Sequence, residues 1–232
     1  KAFTAIDTTE NGLLPLLKAI TNYDANGLPT AYEESSFIPG QPDNLTSSTY
    51  LPFPDPLSLS SNDGTVLTLS CSDGKWSYKK GEAGVSTRFN GTVKMAEGAS
   101  SSTNKLSISA ATGNPTLTFE QVVIKPTDGA ALTINKDCAL TLNTTGDNTS
   151  TLSSSGASTL VNNGSLTLTG KGLYIGNTGD NNEYYGLNNS GSFTVTDPSS
   201  TSVTFHCANT AIHNTGTLAN AWMEWRFSNA LE

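Results

Sequence analysis

Between residues 131 and 218 the chain repeats itself. Segments 159–168, 185–195 and 210–218 can be laid over one another, and 131–142 is an earlier, degenerate copy. The aligned apolar positions Ile134, Val161, Leu187 and Ile212 are 27, 26 and 25 residues apart. A period of this length, made of short alternating strands, signals a solenoid in which no unit buries its own apolar side and stacking supplies the core. Each copy carries a third strand: 151–153 after Leu142, 173–177 after Leu168, 203–207 after Val195 and 224–227 after Leu218. Three strands per repeat, with counterparts pairing from coil to coil about 4.8 Å apart, describe a parallel β-helix. The crossover rule for parallel strands makes it right-handed.

The expected fold class is therefore all-β, a right-handed parallel β-helix of about four to five coils. Its regular coils run from about residue 105 within a β-rich region, 61–230. Residues 1–60 are set apart by seven of the ten prolines. A proline donates no ladder bond, so this part reads as a Pro-rich irregular arm or cap, with a short helix over residues 12–20. Residues 65–70, the turn 72–75 and residues 76–78 read as strand, turn and strand. Within the coils Asn135, Asn162 and Asn188 are expected to stack as a structural amide ladder, with His213 replacing the amide in the last copy.

Composition narrows the function classes. Ser, Thr, Asn and Gly supply 104 of 232 residues and charged residues only 14%, which sets the chain apart from helical bundles and from an ordinary cytosolic enzyme. A net charge of −8 with two arginines argues against nucleic acid as a partner. No apolar run is long enough for a transmembrane segment. Lys1 in place of an initiator Met fits a secreted chain whose signal peptide has been removed, and Leu231-Glu232 reads as a remnant of cloning. Cys71, Cys138 and Cys207 are too few for a disulfide scaffold and read as small buried hydrophobes.

Leu117-Thr118-Phe119, Asp128-Gly129-Ala130-Ala131-Leu132-Thr133-Ile134 and Val161-Asn162-Asn163-Gly164-Ser165-Leu166-Thr167-Leu168 carry a resemblance. The region from 116 to 216 resembles secreted bacterial right-handed β-helices of the adhesin and carbohydrate-binding type. Nearest among them is the family that binds pectin-like polygalacturonate and is related in fold to pectate lyases. The resemblance implies a secreted or bacterial cell-surface protein with a polysaccharide or host glycan as partner.

A lyase of that fold needs clustered carboxylates for calcium and a nearby base. In the repeats the acids are scattered, and only Asp180 and Glu183 lie close together in sequence, in a loop that is a candidate calcium site. Two histidines exclude a three-histidine zinc centre, and the nucleophile elbow, phosphate loop and dinucleotide fingerprint are all missing from the sequence. Aligning the third strands at Asn177, Asn209 and Asn229 turns Tyr174, His206 and Arg226 outward as neighbours, an aromatic ring, an imidazole and a guanidinium suited to an anionic sugar. A non-catalytic carbohydrate-binding or adhesin-like role follows. A polysaccharide lyase or glycoside hydrolase and a structural spacer are the alternatives. At the C-terminus Trp222 and Trp225 are expected to cover the open end of the last coil, with weak end-to-end self-association.

Overall fold

The computed structural model describes residues 3–9, 13–23, 29–37, 45–52, 54–60, 64–196 and 201–219. The chain divides into two units, residues 1–55 and 56–232. The first unit contains β1 (Phe3–Thr9), β2 (Leu13–Tyr23), β3 (Pro29–Phe37) and β4 (Leu45–Pro52). They form an antiparallel meander in the order β1-β2-β3-β4. The helix expected over 12–20 is thus a strand. Pro15 interrupts a helix as readily as a ladder, and it falls where pairing between β1 and β2 is irregular, between the pairs Asp7–Leu16 and Thr9–Leu13. Pro29 opens β3 and Pro52 ends the edge strand β4, places where a missing donor costs little.

The second unit is a parallel β-solenoid of about five turns. Its strands are β5 (Leu57–Leu59), β6 (Val66–Ser72), β7 (Lys75–Lys80), β8 (Thr87–Phe89), β9 (Thr92–Met95), β10 (Lys105–Ala111), β11 (Thr116–Glu120) and β12 (Val123–Ile124). There follow β13 (Leu132–Ile134), β14 (Ala139–Thr145), β15 (Ser150–Ser154), β16 (Leu160–Asn162), β17 (Ser165–Gly170) and β18 (Leu173–Asn177). The series closes with β19 (Leu187–Asn189), β20 (Ser192–Val195), β21 (Val203–Cys207), β22 (Ile212–Asn214) and β23 (Thr217–Ala219). Three faces result. The first stacks β6, β10, β13, β16, β19 and β22; the second stacks β5, β9, β11, β14, β17, β20 and β23; the third stacks β12, β15, β18 and β21. Parallel pairing begins with β5 on β9, so the stack starts near Leu57 and not near residue 105. The hairpin of β6 and β7 turns at Asp73 and Gly74, both at positive φ, as a two-residue turn between twisted strands requires. Together with β8 it extends the first face by two antiparallel strands.

Alternation of apolar and polar residues drives each strand to this arrangement, because every second side chain reaches the interior. Like then stacks on like. On the first face Leu67, Leu106, Leu132, Leu160, Leu187 and Ile212 lie in one column. Leu140, Leu166, Phe193 and Leu218 form another on the second face, and Ile124, Leu152, Ile175 and Phe205 a third. All but Phe205, Ile212 and Leu218 of the last coil are buried, each buried one contributing about 1.5–3 kcal/mol relative to exposure. Outward positions carry mainly hydroxyls, as in the row Thr116, Thr141, Thr167 and Thr194.

A second column on the first face changes character midway. It reads Leu69, Ile108, Ile134, Asn162, Asn189 and Asn214. The amide ladder is therefore Asn162–Asn189–Asn214, and Asn135 and Asn188 are not rungs of it. Asn162 Nδ2 donates to Asn189 Oδ1 at 2.7 Å and to the Ser192 carbonyl at 2.9 Å. Asn189 Nδ2 repeats the pattern to Asn214 Oδ1 at 2.6 Å and to the Thr217 carbonyl at 3.1 Å. In the expected alignment with Leu187, Val161 is one residue out of step and Ile134 two, since Leu132 pairs with Leu160 and Leu160 with Leu187, while Ile134 pairs with Asn162. Asn188 consequently faces outward beside His213, its Oδ1 3.2 Å from Nδ1. Asn135 sits at the following corner, where its carbonyl accepts from the Cys138 amide. Two residues after each rung comes Gly164, Gly191 or Gly216. A Cβ on Gly191 would overlap the Gly164 carbonyl, and one on Gly216 the Gly191 carbonyl. Trp222, Trp225 and the expected strand 224–227 lie outside the described residues.

The ladder makes a discriminating prediction. Asn189→Ala strips a partner from buried Asn162 and from the exposed Asn214 and Thr217 and lowers unfolding free energy by about 1–3 kcal/mol, the cost of a lost bond at a buried polar group. Asn188→Ala, one residue away but outward, changes it by less than about 0.5 kcal/mol. Urea denaturation of both variants measures the difference, and equal effects would refute this register.

Candidate glycan-binding face

The third face positions the residues that sequence reading singled out. β18 and β21 pair so that Tyr174 lies across from Thr204, Gly176 across from His206 and Asn177 across from Cys207. This is two residues away from the alignment of Asn177 with Asn209. Tyr174 and His206 still share the outward side, as diagonal rather than direct neighbours. Their rings stack, with centroids 6.4 Å apart and planes inclined by 23°. Gly176 makes this possible: a Cβ there would sit 3.3 Å from Tyr174 Cε1. Burial, and to a lesser degree the neighbouring Cys207, pushes the Tyr174 phenol above its ordinary value. Arg226, the third member of the expected row, lies outside the described residues.

The corner beside this platform is held by buried polar groups. Asn177 Nδ2 donates to the Ala157 carbonyl at 2.8 Å and to the Tyr185 carbonyl at 3.2 Å, and its Oδ1 accepts from the Gly179 amide at 3.0 Å. Thr159 Oγ1 donates to the Gly176 carbonyl at 2.6 Å, and Ser158 Oγ accepts from the Tyr185 amide at 3.1 Å. The loop that follows contains Asp180 and Glu183, both exposed. The Glu183 amide donates to Asn181 Oδ1 at 2.9 Å, an Asx turn that satisfies the backbone locally. No group of three His, Cys, Asp or Glu side chains is placed to hold a metal among the described residues.

Three features escaped the sequence reading. Tyr185 stacks on His213 at the edge of the first face, with centroids 4.7 Å apart and planes inclined by 20°. They are 28 residues apart, whereas the adjoining strands pair at a spacing of 25, so the repeat period alone does not bring them together. Gly176 is a strand-interior glycine, a recognised mark of close approach. Beside Ser153 a shallow cavity of about 310 Å³ opens, lined by Lys125, Pro126, Thr127, Ser153, Ser154, Ser155 and Thr178. No helix among the described residues is long and apolar enough to cross a membrane. Comparison with family models, with curated proteins and with solved structures finds no match.

Burial also raises the thiols of Cys71, Cys138 and Cys207 above the usual cysteine value. The thiolate is the reactive form, so raising the pKa slows alkylation at fixed pH. The unfolded chain then loses its thiol protons first, and stability falls as pH rises through the unfolded value near 9.0. Iodoacetamide at pH 8 is accordingly expected to modify all three thiols more slowly in the folded protein than in urea. Equal rates would contradict their burial.

Proposed function

We propose that this chain is a non-catalytic carbohydrate-binding protein of the bacterial cell surface, adhesin-like and secreted, whose ligand is a polysaccharide or host glycan. The observation that carries the reading is the Tyr174 ring laid over Gly176 and stacked with His206 on a flat parallel sheet. A phenol ring offers an apolar face with a polar tip, which suits a pyranose, whose two sides are C–H-rich and whose rim is hydroxylated. The strand pairing beneath fixes both rings before any ligand arrives, which reduces the ordering cost of binding. The Ser-, Thr- and Asn-rich, charge-poor surface supports the same reading, because it offers hydroxyl and amide partners to a neutral polymer. The resemblance to carbohydrate-binding β-helices points the same way.

A glycan array read with the wild-type chain and with Tyr174→Ala tests it. The wild type is expected to retain a defined set of oligosaccharides, and Tyr174→Ala to weaken that set by at least about tenfold, the worth of one good anchor near 1.4 kcal/mol. Binding accompanied by new reducing or unsaturated ends would favour the lyase or hydrolase alternative. Absence of both binding and turnover would favour a structural spacer.

A further inference from the structure

The row of outward residues that follows the solenoid axis on the third face is Lys125, Ser153, Gly176 and His206. Ser153 pairs with Gly176 and Gly176 with His206, while Lys125 follows Ile124, the partner of Leu152. Successive members are one coil rise apart, about 4.8 Å, which separates Lys125 from Gly176 by about 10 Å. The ends of this row are tall and its middle is low. Gly176 has no positive φ to require a glycine, and a strand-interior glycine weakens its strand. A Cβ there would stand 3.1 Å from Ser153 Oγ and 3.3 Å from Tyr174 Cε1. Without it the Tyr174 ring and the Ser153 hydroxyl close over the backbone, so Gly176 is buried, and on the Ser153 side lies the cavity that Lys125, Ser153, Ser155 and Thr178 line.

Charge distinguishes the two ends. Lys125 is exposed, and among the described residues no carboxylate pairs with it, whereas Lys105 is taken up by Asp128 at 3.0 Å. Thr151, Ser153, Tyr174, Gly176, Thr204 and His206 supply the outward side of the neighbouring strands. None is acidic, although acids outnumber Lys and Arg by 20 to 12 in the chain. At the other end the face of Tyr174 presents the negative lobe of an aromatic quadrupole, which repels an anion placed over it.

We infer that this stretch of the third face takes a segment of heteroglycan in which a neutral sugar lies on Tyr174 and a carboxylate-bearing sugar lies about two units along, at Lys125. The inference rests on the glycan-binding reading above and adds the charge pattern of the ligand. A uniformly acidic polymer fits less well, because it places a carboxylate over the Tyr174 ring. The Lys125 ammonium makes a charge-assisted bond to the distant carboxylate, and Ser153 and Thr178 offer hydroxyls to the sugars between.

The test is an array that pairs each neutral tri- or tetrasaccharide with a counterpart carrying one uronate, together with polygalacturonate. It is read with the wild type, Lys125→Gln, Lys125→Glu and Tyr174→Ala, after circular dichroism melts show that each variant folds. Single-uronate ligands are expected to bind the wild type about tenfold more tightly than their neutral partners, one charge-assisted bond being worth about that factor. Lys125→Gln is expected to abolish the preference and Lys125→Glu to reverse it, with neutral ligands unaffected in both. A wild type that shows no uronate preference, or keeps one in Lys125→Gln, or binds polygalacturonate best, overturns the inference. If Tyr174→Ala still abolishes binding in that case, the glycan-binding reading stands. No binding at all, or binding indifferent to Tyr174, overturns both.

Discussion

Everything in the second unit depends on one constraint, the coil-to-coil register of parallel strands. Because side chains alternate, a slip of one residue would send an entire column from the core to solvent. The ladder enforces correct stacking twice over. Its aliphatic columns reward burial at each step, and its amide column rewards only one register, since Asn189 can satisfy Asn162 and Asn214 solely when all three occupy the same position along successive strands. Aliphatic packing tolerates exchange among Leu, Ile and Phe, as Leu166 stacked on Phe193 illustrates. Amides tolerate none. The last three rungs of the first face are thus specified more tightly than the first three.

One rung shows the cost of this device. Asn162 Oδ1 is buried without a hydrogen-bond partner, because the position below it belongs to Ile134, which has nothing to donate. The transition from aliphatic to amide column leaves one acceptor facing hydrocarbon, a penalty of about 1–3 kcal/mol. The two bonds donated by Asn162 Nδ2 offset it. Glycines complete the arrangement: Gly164, Gly191 and Gly216 stack where adjacent corners press carbonyl against Cα, so the turn following each rung has no room for a side chain.

Much of this was legible in the residues. The 25–27-residue spacing announced a solenoid, and the strands over 151–153, 173–177 and 203–207 lie within or coincide with β15, β18 and β21. Register was harder to read, for physical reasons. Val161 looks like a core residue, yet it is Leu160 that points inward; the Asn-x-Gly triplets at 162–164, 189–191 and 214–216 mark the true alignment better than any apolar side chain. On the third face, paired residues are separated by 28, 23 and 30 residues, because loops of unequal length precede each strand. No single period aligns it, and the expected pairing of Tyr174 with His206 was displaced by two residues. Parity survived, which is why the rings still meet. The strand over Leu13–Tyr23 was misread because leucine-rich runs suit helix and strand alike, and antiparallel partners on both sides decided the matter.

Distance between outward residues on one face tests the stacking most directly. Ser107, Thr133, Val161, Asn188 and His213 occupy one outward row across five consecutive strands of the first face. Spin labels at Ser107 and His213, introduced through cysteine after the three native cysteines are replaced, are measured by double electron–electron resonance. Four coil rises of about 4.8 Å place them roughly 19 Å apart with a narrow distribution. A separation beyond about 30 Å, more than six such rises, or a distribution with several maxima would contradict a parallel stack in this register.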